Sequence, residues 1–202
     1  MRRYVLSARK EVIENIFDVT SESNSLFEPS YNVFPGSPMP IIYRKDQDVI
    51  KSGVWGVSGK ETITEFTKQQ VEAGDKTLEK LNLKPCLIPA SGFYLWKQSV
   101  DDKYPFYIRM LTREVLGLAG LYHIKQNEDG SFTREFAVIT KQSNVLLQPL
   151  EPTMPCILDP NNFTEWLGGN KKSVLQSQFK DTDLIPDLAV YRVPELVNDP
   201  SK

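Results

Sequence analysis

Short apolar runs separated by turn residues occupy the middle of the chain. There are five of them: Cys86–Pro89, Gly92–Trp96, Phe106–Met110, Val115–Ile124 and Phe132–Ile139. Runs of this length, rich in β-branched and aromatic residues and divided by turns such as Asp129-Gly130, predict consecutive β-strands. Their spacing indicates a curved sheet or a partly closed barrel.

The residues before these runs contain both the hydrophobic spacing of strands and that of a helix. We predict strands over Tyr4–Ser7, Pro40–Arg44 and Val49–Val57, and an amphipathic helix over Arg9–Asp18. Residues 31–40 contain three prolines and one glycine, which predict an ordered, turning loop. Residues 60–81 predict one surface helix, or a helix broken near Gly74.

The end of the chain returns to helical spacing. Phe163–Leu167 and Val174–Phe179 predict helices, and Leu188–Val193 predicts a final strand. Residues 198–202 predict a loose tail. No internal repeat or linker divides the chain, so we predict a single α+β domain over residues 1–202.

Composition places the chain among ordinary globular proteins. Its 202 residues are 40% hydrophobic and 25% charged, with a formal net charge of -2. Neither a long apolar window nor a secretory signal is visible, so we expect a cytoplasmic protein without a membrane partner. The acidic balance argues against a chain coated with basic residues for non-specific nucleic-acid binding, and only the N-terminus is locally basic.

Few residues offer catalytic or metal-binding chemistry. The two cysteines, Cys86 and Cys156, and the single histidine, His123, exclude a disulfide scaffold and a four-ligand zinc site. We expect both thiols to be buried and inert, His123 to be structural, and no metal or organic cofactor to be required. The segment Gly53–Lys60 has the wrong glycine spacing for a phosphate-binding loop, and Glu61 replaces the expected hydroxyl residue.

A series of weak motifs, in a fixed order, carries more information than any single residue. The series is Arg3-Tyr4-Val5-Leu6, Tyr31-Asn32-Val33-Phe34-Pro35-Gly36, Trp55-Gly56-Val57, Glu61-Thr62, Cys86 through Trp96, Pro105-Phe106, Ala119-Gly120-Leu121-Tyr122, Thr140, Asn144 and Met154-Pro155. In this order and over nearly the whole chain, it resembles the SRAP family, the SOS response-associated peptidase domain. The resemblance implies a bifurcated, barrel-like, mostly antiparallel β-sheet surrounded by helices.

The resemblance also implies a function in the DNA damage response. SRAP proteins recognise abasic sites in single-stranded DNA and join them covalently through an N-terminal cysteine, whose amine and thiol close a thiazolidine ring on the sugar aldehyde. This chemistry requires an amine to form the imine, a thiolate to trap it, and groups that transfer protons. Single-stranded or abasic DNA is therefore the partner that the resemblance implies.

Each of the family's catalytic positions is altered in this chain. Met1 stands where the cysteine is expected, and the loop that carries an asparagine and an arginine in the family is deleted before Glu61-Thr62. Three further positions are substituted: Leu95 replaces a glutamate, Glu151 replaces a histidine, and Thr153 replaces an arginine. We therefore expect impaired catalysis, and whether the chain is still an enzyme stays open.

Three functions are compatible with these changes. In the first, the chain is a DNA-binding module whose groove is lined by Arg2, Arg3, Asn32, Pro35 and Trp55. Two charges at the N-terminal end of the chain would supply part of a phosphate contact set.

In the second, the α-amine of Met1 forms a reversible imine with the sugar aldehyde and Glu151 acts as a base. In the third, the fold is degenerate and serves as a protein-interaction or structural domain. Salt dependence separates DNA binding from an apolar protein interface, because contacts with phosphate weaken steeply as salt rises.

Overall fold

A computed structural model of the chain describes residues 1–98, 103–179 and 187–199. The strands are β1 (Arg3–Leu6), β2 (Ser30–Val33), β3 (Pro38–Arg44), β4 (Asp48–Trp55), β5 (Glu65–Thr67), β6 (Lys84–Ala90), β7 (Gly92–Gln98), β8 (Lys103–Met110), β9 (Leu116–Gln126), β10 (Phe132–Gln142), β11 (Thr153–Pro155), β12 (Ile157–Leu158) and β13 (Leu188–Arg192). The helices are α1 (Lys10–Phe17), α2 (Lys68–Ala73), α3 (Lys76–Lys80), α4 (Phe163–Leu167) and α5 (Lys171–Gln178).

Five strands close into a barrel. The order around the barrel is β4, β3, β6, β9 and β10, and β10 returns to pair with β4. Only the β10 pairings with β4 and with the short β5 are parallel, while the other described pairings are antiparallel. The prediction of a barrel-like, mostly antiparallel α+β fold is therefore confirmed.

A second sheet packs beside the barrel, with the strand order β13, β8, β7, β1 and β2. Its strands alternate between two faces, as the two-residue period of a strand requires. Phe93, Leu95 and Ile108 point into the main core. Tyr94 and Trp96 lie on the opposite, outer face, where they form a small separate cluster with Val5.

Helix α4 covers part of the barrel through buried aromatic side chains. Trp166 has no exposed surface, and its indole N–H donates to the carbonyl of Cys86 at 2.8 Å. Phe163 stacks on Phe17 of α1 with 5.0 Å between ring centroids. Among the described helices, none is long and apolar enough to cross a bilayer.

The helix predicted over residues 60–81 is wrong in its first third. Residues Glu65–Thr67 form β5, which pairs with Val138, Ile139 and Thr140 of β10. The sheet hydrogen bonds therefore determine the conformation there, despite a helical charge pattern. Helix α2 begins only after Thr67, whose side chain caps it, and the predicted break is present at Gly74, with φ of 67°.

Two other predicted segments lie wholly or partly within the described residues. The loop predicted over residues 31–40 contains the end of β2, and its turn is confined to Phe34 through Ser37, before β3 begins at Pro38. Within the predicted loose tail, Asn198 and Asp199 are both hydrogen-bonded to other parts of the chain. Residues 200–202 lie outside the described residues.

Candidate active site

A cleft of about 630 Å³ opens where the start of β1, the turn after β2 and the end of β7 meet. Its lining residues come from distant parts of the sequence: Met1, Arg2, Arg3, Phe34, Pro35, Thr64, Trp96 and Asn198. Met1, Arg2, Arg3 and Pro35 were predicted site residues, and the fold brings these four together.

Met1 anchors the inner end of the cleft. Its residue is 6% exposed and its side chain belongs to the main hydrophobic core. The α-amine is hydrogen-bonded and ion-paired to the carboxylate of Glu65, the first residue of β5. A buried side chain and a charged hydrogen bond together fix the direction of this amine.

Glu151 supplies a second carboxyl group to the same region. The backbone N–H of Trp96 donates to its Oε1 at 3.3 Å. Burial raises the pKa of Glu151, and the nearby α-amine of Met1 and the guanidinium of Arg2 partly offset that increase. The carboxyl therefore keeps its proton to higher pH than a solvated glutamate does, which suits a proton donor.

The two arginines differ in their surroundings. Arg2 is exposed, whereas Arg3 is half-buried and its guanidinium lies 5.2 Å from the centroid of the Phe34 ring. Burial lowers the pKa of Arg3 and the carboxylate of Asp199 raises it. Arginine stays charged in either case, so the cleft carries two positive charges near its opening.

Trp55 and Asn32 do not line the cleft directly. Trp55 has no exposed surface, and its indole N–H donates to the carbonyl of Thr64 at 2.9 Å. The prediction that Trp55 lines the groove is therefore wrong: it supports a lining residue from below. Asn32 lies on β2, where its amide donates to the backbone carbonyl of Asp199 at 2.9 Å.

The sequence interpretation missed several residues of the site. Glu65 is the most important, because it holds the α-amine of Met1. Leu95, which stands where a glutamate is expected, points into the core with no exposed surface. Trp96, its neighbour, faces the cleft, and the strand alternation of β7 is the signal that could have identified it.

The other candidate residues lie outside the cleft lining. His123 bonds Glu135 at 2.9 Å, and Glu135 accepts hydrogen bonds from Ser58. Cys86 and Cys156 are both buried, as predicted, and burial raises the pKa of Cys156 to about 12. Within the described ranges, no cluster of histidine, cysteine or acidic side chains is arranged to hold a metal ion.

Comparisons with known proteins add a family and a set of relatives. The profile of the SRAP family, SOS response associated peptidase, matches residues 2–200. The abasic site processing protein YoqW of Bacillus subtilis is 30% identical over 186 residues, which cover 86% of this chain and 83% of YoqW. The abasic site processing protein HMCES of Xenopus tropicalis is 26% identical over 181 residues, which cover 70% of this chain and 54% of HMCES.

Solved structures share the fold at lower sequence identity. A protein from Bacteroides thetaiotaomicron superimposes with a TM-score of 0.83 and 18% identity, covering all of this chain and 97% of its own. A protein from Bordetella bronchiseptica gives a TM-score of 0.78 and 16% identity, covering 96% of this chain and 100% of its own.

Proposed function

The chain belongs to the SRAP family, and from this premise we propose that it binds abasic sites in single-stranded DNA and forms a reversible imine through the α-amine of Met1. The observation that carries the proposal is the position of this amine, which is fixed at the inner end of the cleft against Glu65. The curated relatives are named abasic site processing proteins, which supports the choice of substrate.

The reaction needs an amine, an aldehyde and three proton transfers. Glu65 accepts a proton from the ammonium group of Met1, and the neutral amine adds to the aldehyde carbon of the opened sugar. A second proton passes from the nitrogen of this adduct to its alkoxide oxygen, which becomes a hydroxyl. Protonated Glu151 then donates a proton to the departing hydroxyl, so that one water leaves and a carbon–nitrogen double bond forms. Addition of water reverses both steps.

Met1 also limits the reaction to this reversible stage. A thioether has no S–H proton, so it cannot close a thiazolidine ring on the imine carbon. The two thiols of the chain belong to Cys86 and Cys156, and both are buried. The adduct of this protein should therefore be labile until a reductant fixes it.

Glu65 offers a replacement for the missing glutamate. Leu95 lies in the core and brings no carboxylate to the cleft, whereas Glu65 reaches the amine from β5. We infer that one lost acidic group is replaced by another from a different strand. Proton transfer of this kind contributes roughly 100- to 10,000-fold to a rate.

DNA would enter past the arginines. Arg2 and Arg3 lie on the cleft lining and can meet phosphate, although the net charge of the chain is -2. Contacts between arginine and phosphate are sequence-independent and depend on salt. A protein of this kind would recognise the sugar aldehyde and the backbone rather than a base sequence.

The experiment is reductive trapping. The protein is mixed with a single-stranded oligonucleotide that carries one abasic site, with and without borohydride, and separated on a denaturing gel. We expect a cross-linked band only with borohydride, and peptide mass spectrometry should locate it on the α-amine of Met1. An oligonucleotide with a tetrahydrofuran abasic analogue, which lacks the aldehyde, is the control.

Glu65→Gln tests the proton acceptor. Glutamine keeps the shape but takes up no proton, so the initial trapping rate should fall by about 100-fold or more. The matched control is Glu72→Gln, because Glu72 pairs with Lys68 outside the cleft lining. An adduct on a lysine, or no adduct at all, would overturn the imine proposal, and a heat-stable band without borohydride would show that another nucleophile replaces cysteine.

A further inference from the structure

A short segment after β13 folds back over the outer face of the second sheet. This return segment comprises residues 193–199 and includes one 3₁₀ turn, Glu195–Asn198. Val193 and Val197 pack on the outer-face cluster that contains Tyr94 and Trp96. The backbone N–H of Val193 also donates to the carbonyl of Pro105 at 3.1 Å.

The end of the return segment occupies polar groups of the cleft lining and of the neighbouring strand β2. The indole N–H of Trp96 donates to Oδ1 of Asn198 at 2.7 Å. The amide of Asn32 donates to the backbone carbonyl of Asp199 at 2.9 Å. Burial lowers the pKa of Arg3, and the nearby negative charge of Asp199 partly offsets that decrease.

These partners share one chemical property. An indole N–H, an amide N–H and a guanidinium are all hydrogen-bond donors, and Arg3 adds positive charge. The return segment presents acceptors and a carboxylate to them, as the phosphate and sugar oxygens of a nucleic acid would. The segment therefore satisfies the donors that a DNA strand in this cleft would use.

We propose that residues 193–199 compete intramolecularly with single-stranded DNA for a nucleotide subsite formed by Arg3, Asn32 and Trp96. The inference rests on the proposed function, since DNA is the competing ligand. Asn198 lines the cleft and Asp199 would face a phosphate of like charge, so the two cannot share the subsite favourably.

Competition of this kind lowers the apparent affinity. When a ligand binds only to molecules in which the segment is displaced, its apparent affinity equals its intrinsic affinity multiplied by the displaced fraction. Displacement would also uncover Trp96, which is 5% exposed, and offer its ring for stacking on a base. The subsite would then combine one charge, one amide and one aromatic surface.

The test measures DNA affinity by fluorescence anisotropy with an intact, labelled single-stranded oligonucleotide without an abasic site, so that imine formation plays no part. The double variant Asn198→Ala/Asp199→Asn should bind about 5- to 10-fold more tightly, because the side-chain acceptor of Trp96 and the negative charge near Arg3 are both lost from the closed state. Glu195→Gln is the matched control, since Glu195 is an exposed acidic residue of the same turn.

Three outcomes would overturn the proposed competition between the return segment and DNA. Equal or weaker binding by the double variant overturns the competition while leaving the proposed function intact. An equal gain in Glu195→Gln also overturns it, because general charge would then explain the effect. Binding by neither the native chain nor the variants overturns this inference, whereas the proposed function is decided separately by the reductive trapping experiment on abasic DNA.

Hydrogen exchange gives an independent readout on the native chain. The backbone N–H of Asp199 donates to Leu196, and that of Val193 donates to Pro105. If DNA displaces the segment, both amides should exchange faster when the oligonucleotide is bound. Slower exchange would mean that the segment is part of the DNA-binding surface, and this would overturn the proposal.

Discussion

The barrel and the cleft of this protein are built in opposite ways. The barrel strands lie between Pro38 and Gln142, and its interior consists of apolar side chains with little or no exposed surface. The cleft collects single residues from widely separated segments, such as Met1, Thr64 and Asn198, and it depends on a few polar contacts. In the barrel, many buried side chains share the stabilisation of the fold, whereas in the cleft each polar contact positions a particular group.

One residue joins the two regions. The ring of Trp55 lies in the core between Tyr4 and Phe136, and its N–H holds the carbonyl of Thr64 at the cleft. Through this hydrogen bond, the buried Trp55 helps to position β5, the strand that begins with Glu65. Substitutions can separate the contributions of core packing and polar contacts.

The largest effect is expected for the barrel itself. Trp166→Ala removes a fully buried ring and its hydrogen bond to Cys86 and should lower the free energy of unfolding by about 3–5 kcal/mol. Urea denaturation measures this change. Arg2→Ala, at an exposed position of the cleft, should change the unfolding free energy by less than about 0.5 kcal/mol. If both variants lost a similar free energy of unfolding, the cleft residue would stabilise the fold as much as the buried ring does, contrary to this expectation.

A smaller effect is expected for the residue that joins the regions. Trp55→Phe keeps an aromatic ring in the core but leaves the carbonyl of Thr64 without its indole donor, which should cost about 1–3 kcal/mol of stability. The rate of imine trapping should also fall, since Glu65 follows Thr64 directly. Trp166→Phe is the control, because it loses a barrel hydrogen bond only. Equal trapping rates in both variants would refute the link between Trp55 and the cleft.

A third comparison concerns charge at the cleft. Arg3→Ala, in an Asp199→Asn background that removes the competing carboxylate, should weaken DNA binding by roughly 10-fold and reduce the salt slope by about one. Titrations by anisotropy at several salt concentrations give both numbers. Arg134→Ala is the control, because Arg134 contacts Tyr43 on the barrel. Unchanged binding after loss of Arg3 would show that phosphate is held elsewhere.

The smallest effect is a dependence of stability on pH. Burial raises the pKa of Glu151 in the folded chain, so the folded state binds its proton more tightly than the unfolded state does. The stability present at low pH is then lost as the pH rises from the ordinary value, about 4.5, to the raised one. Glu151→Gln has no such titration. The difference between its free energy of unfolding and that of the native chain should therefore shift in favour of the variant as the pH rises, and then level off.

Glu135 of the barrel should give the opposite sign. Burial alone would raise the pKa of Glu135, but hydrogen bonds from Ser58 and His123 outweigh it and lower the pKa. The stability that Glu135 contributes is present above its ordinary pKa and is lost as the pH falls through the lowered value. Urea unfolding of Glu151→Gln and Glu135→Gln between pH 3 and 8 would show both trends, and a constant difference for Glu151→Gln would refute the first.

Much of the fold could be predicted because hydrophobic patterning is local. The apolar runs Gly92–Trp96 and Phe132–Ile139 lie in β7 and β10, and both strands extend a few residues further toward their C-terminal ends. A helix also ends at Gly74, where a break was predicted. The error at Glu65–Thr67 has a physical cause. Pairing with β10 satisfies the backbone groups of these residues in a sheet, and a charge pattern along the sequence contains no information about that partner.

Some of the predicted site residues lie on the lining of one cleft. Arg2, Arg3 and Pro35 line the cleft, and Met1 lies at its inner end. The pairing of Met1 with Glu65 joins residues 64 positions apart, and no local pattern could reveal it. Trp55 was misplaced for a similar reason, since the sequence does not tell whether an aromatic residue in a strand faces the core or a cleft, and the sheet packing decides this.

By itself, the sequence determined the α+β class, the barrel strands and the family resemblance, because each of these depends on residue order and on hydrophobic period. The tertiary structure alone decided which side chains meet. It placed the amine of Met1 against Glu65, turned Leu95 into the core and Trp96 to the cleft, and folded Asn198 onto that tryptophan. These contacts join residues distant in sequence, and their geometry is fixed by chain packing rather than by local propensity.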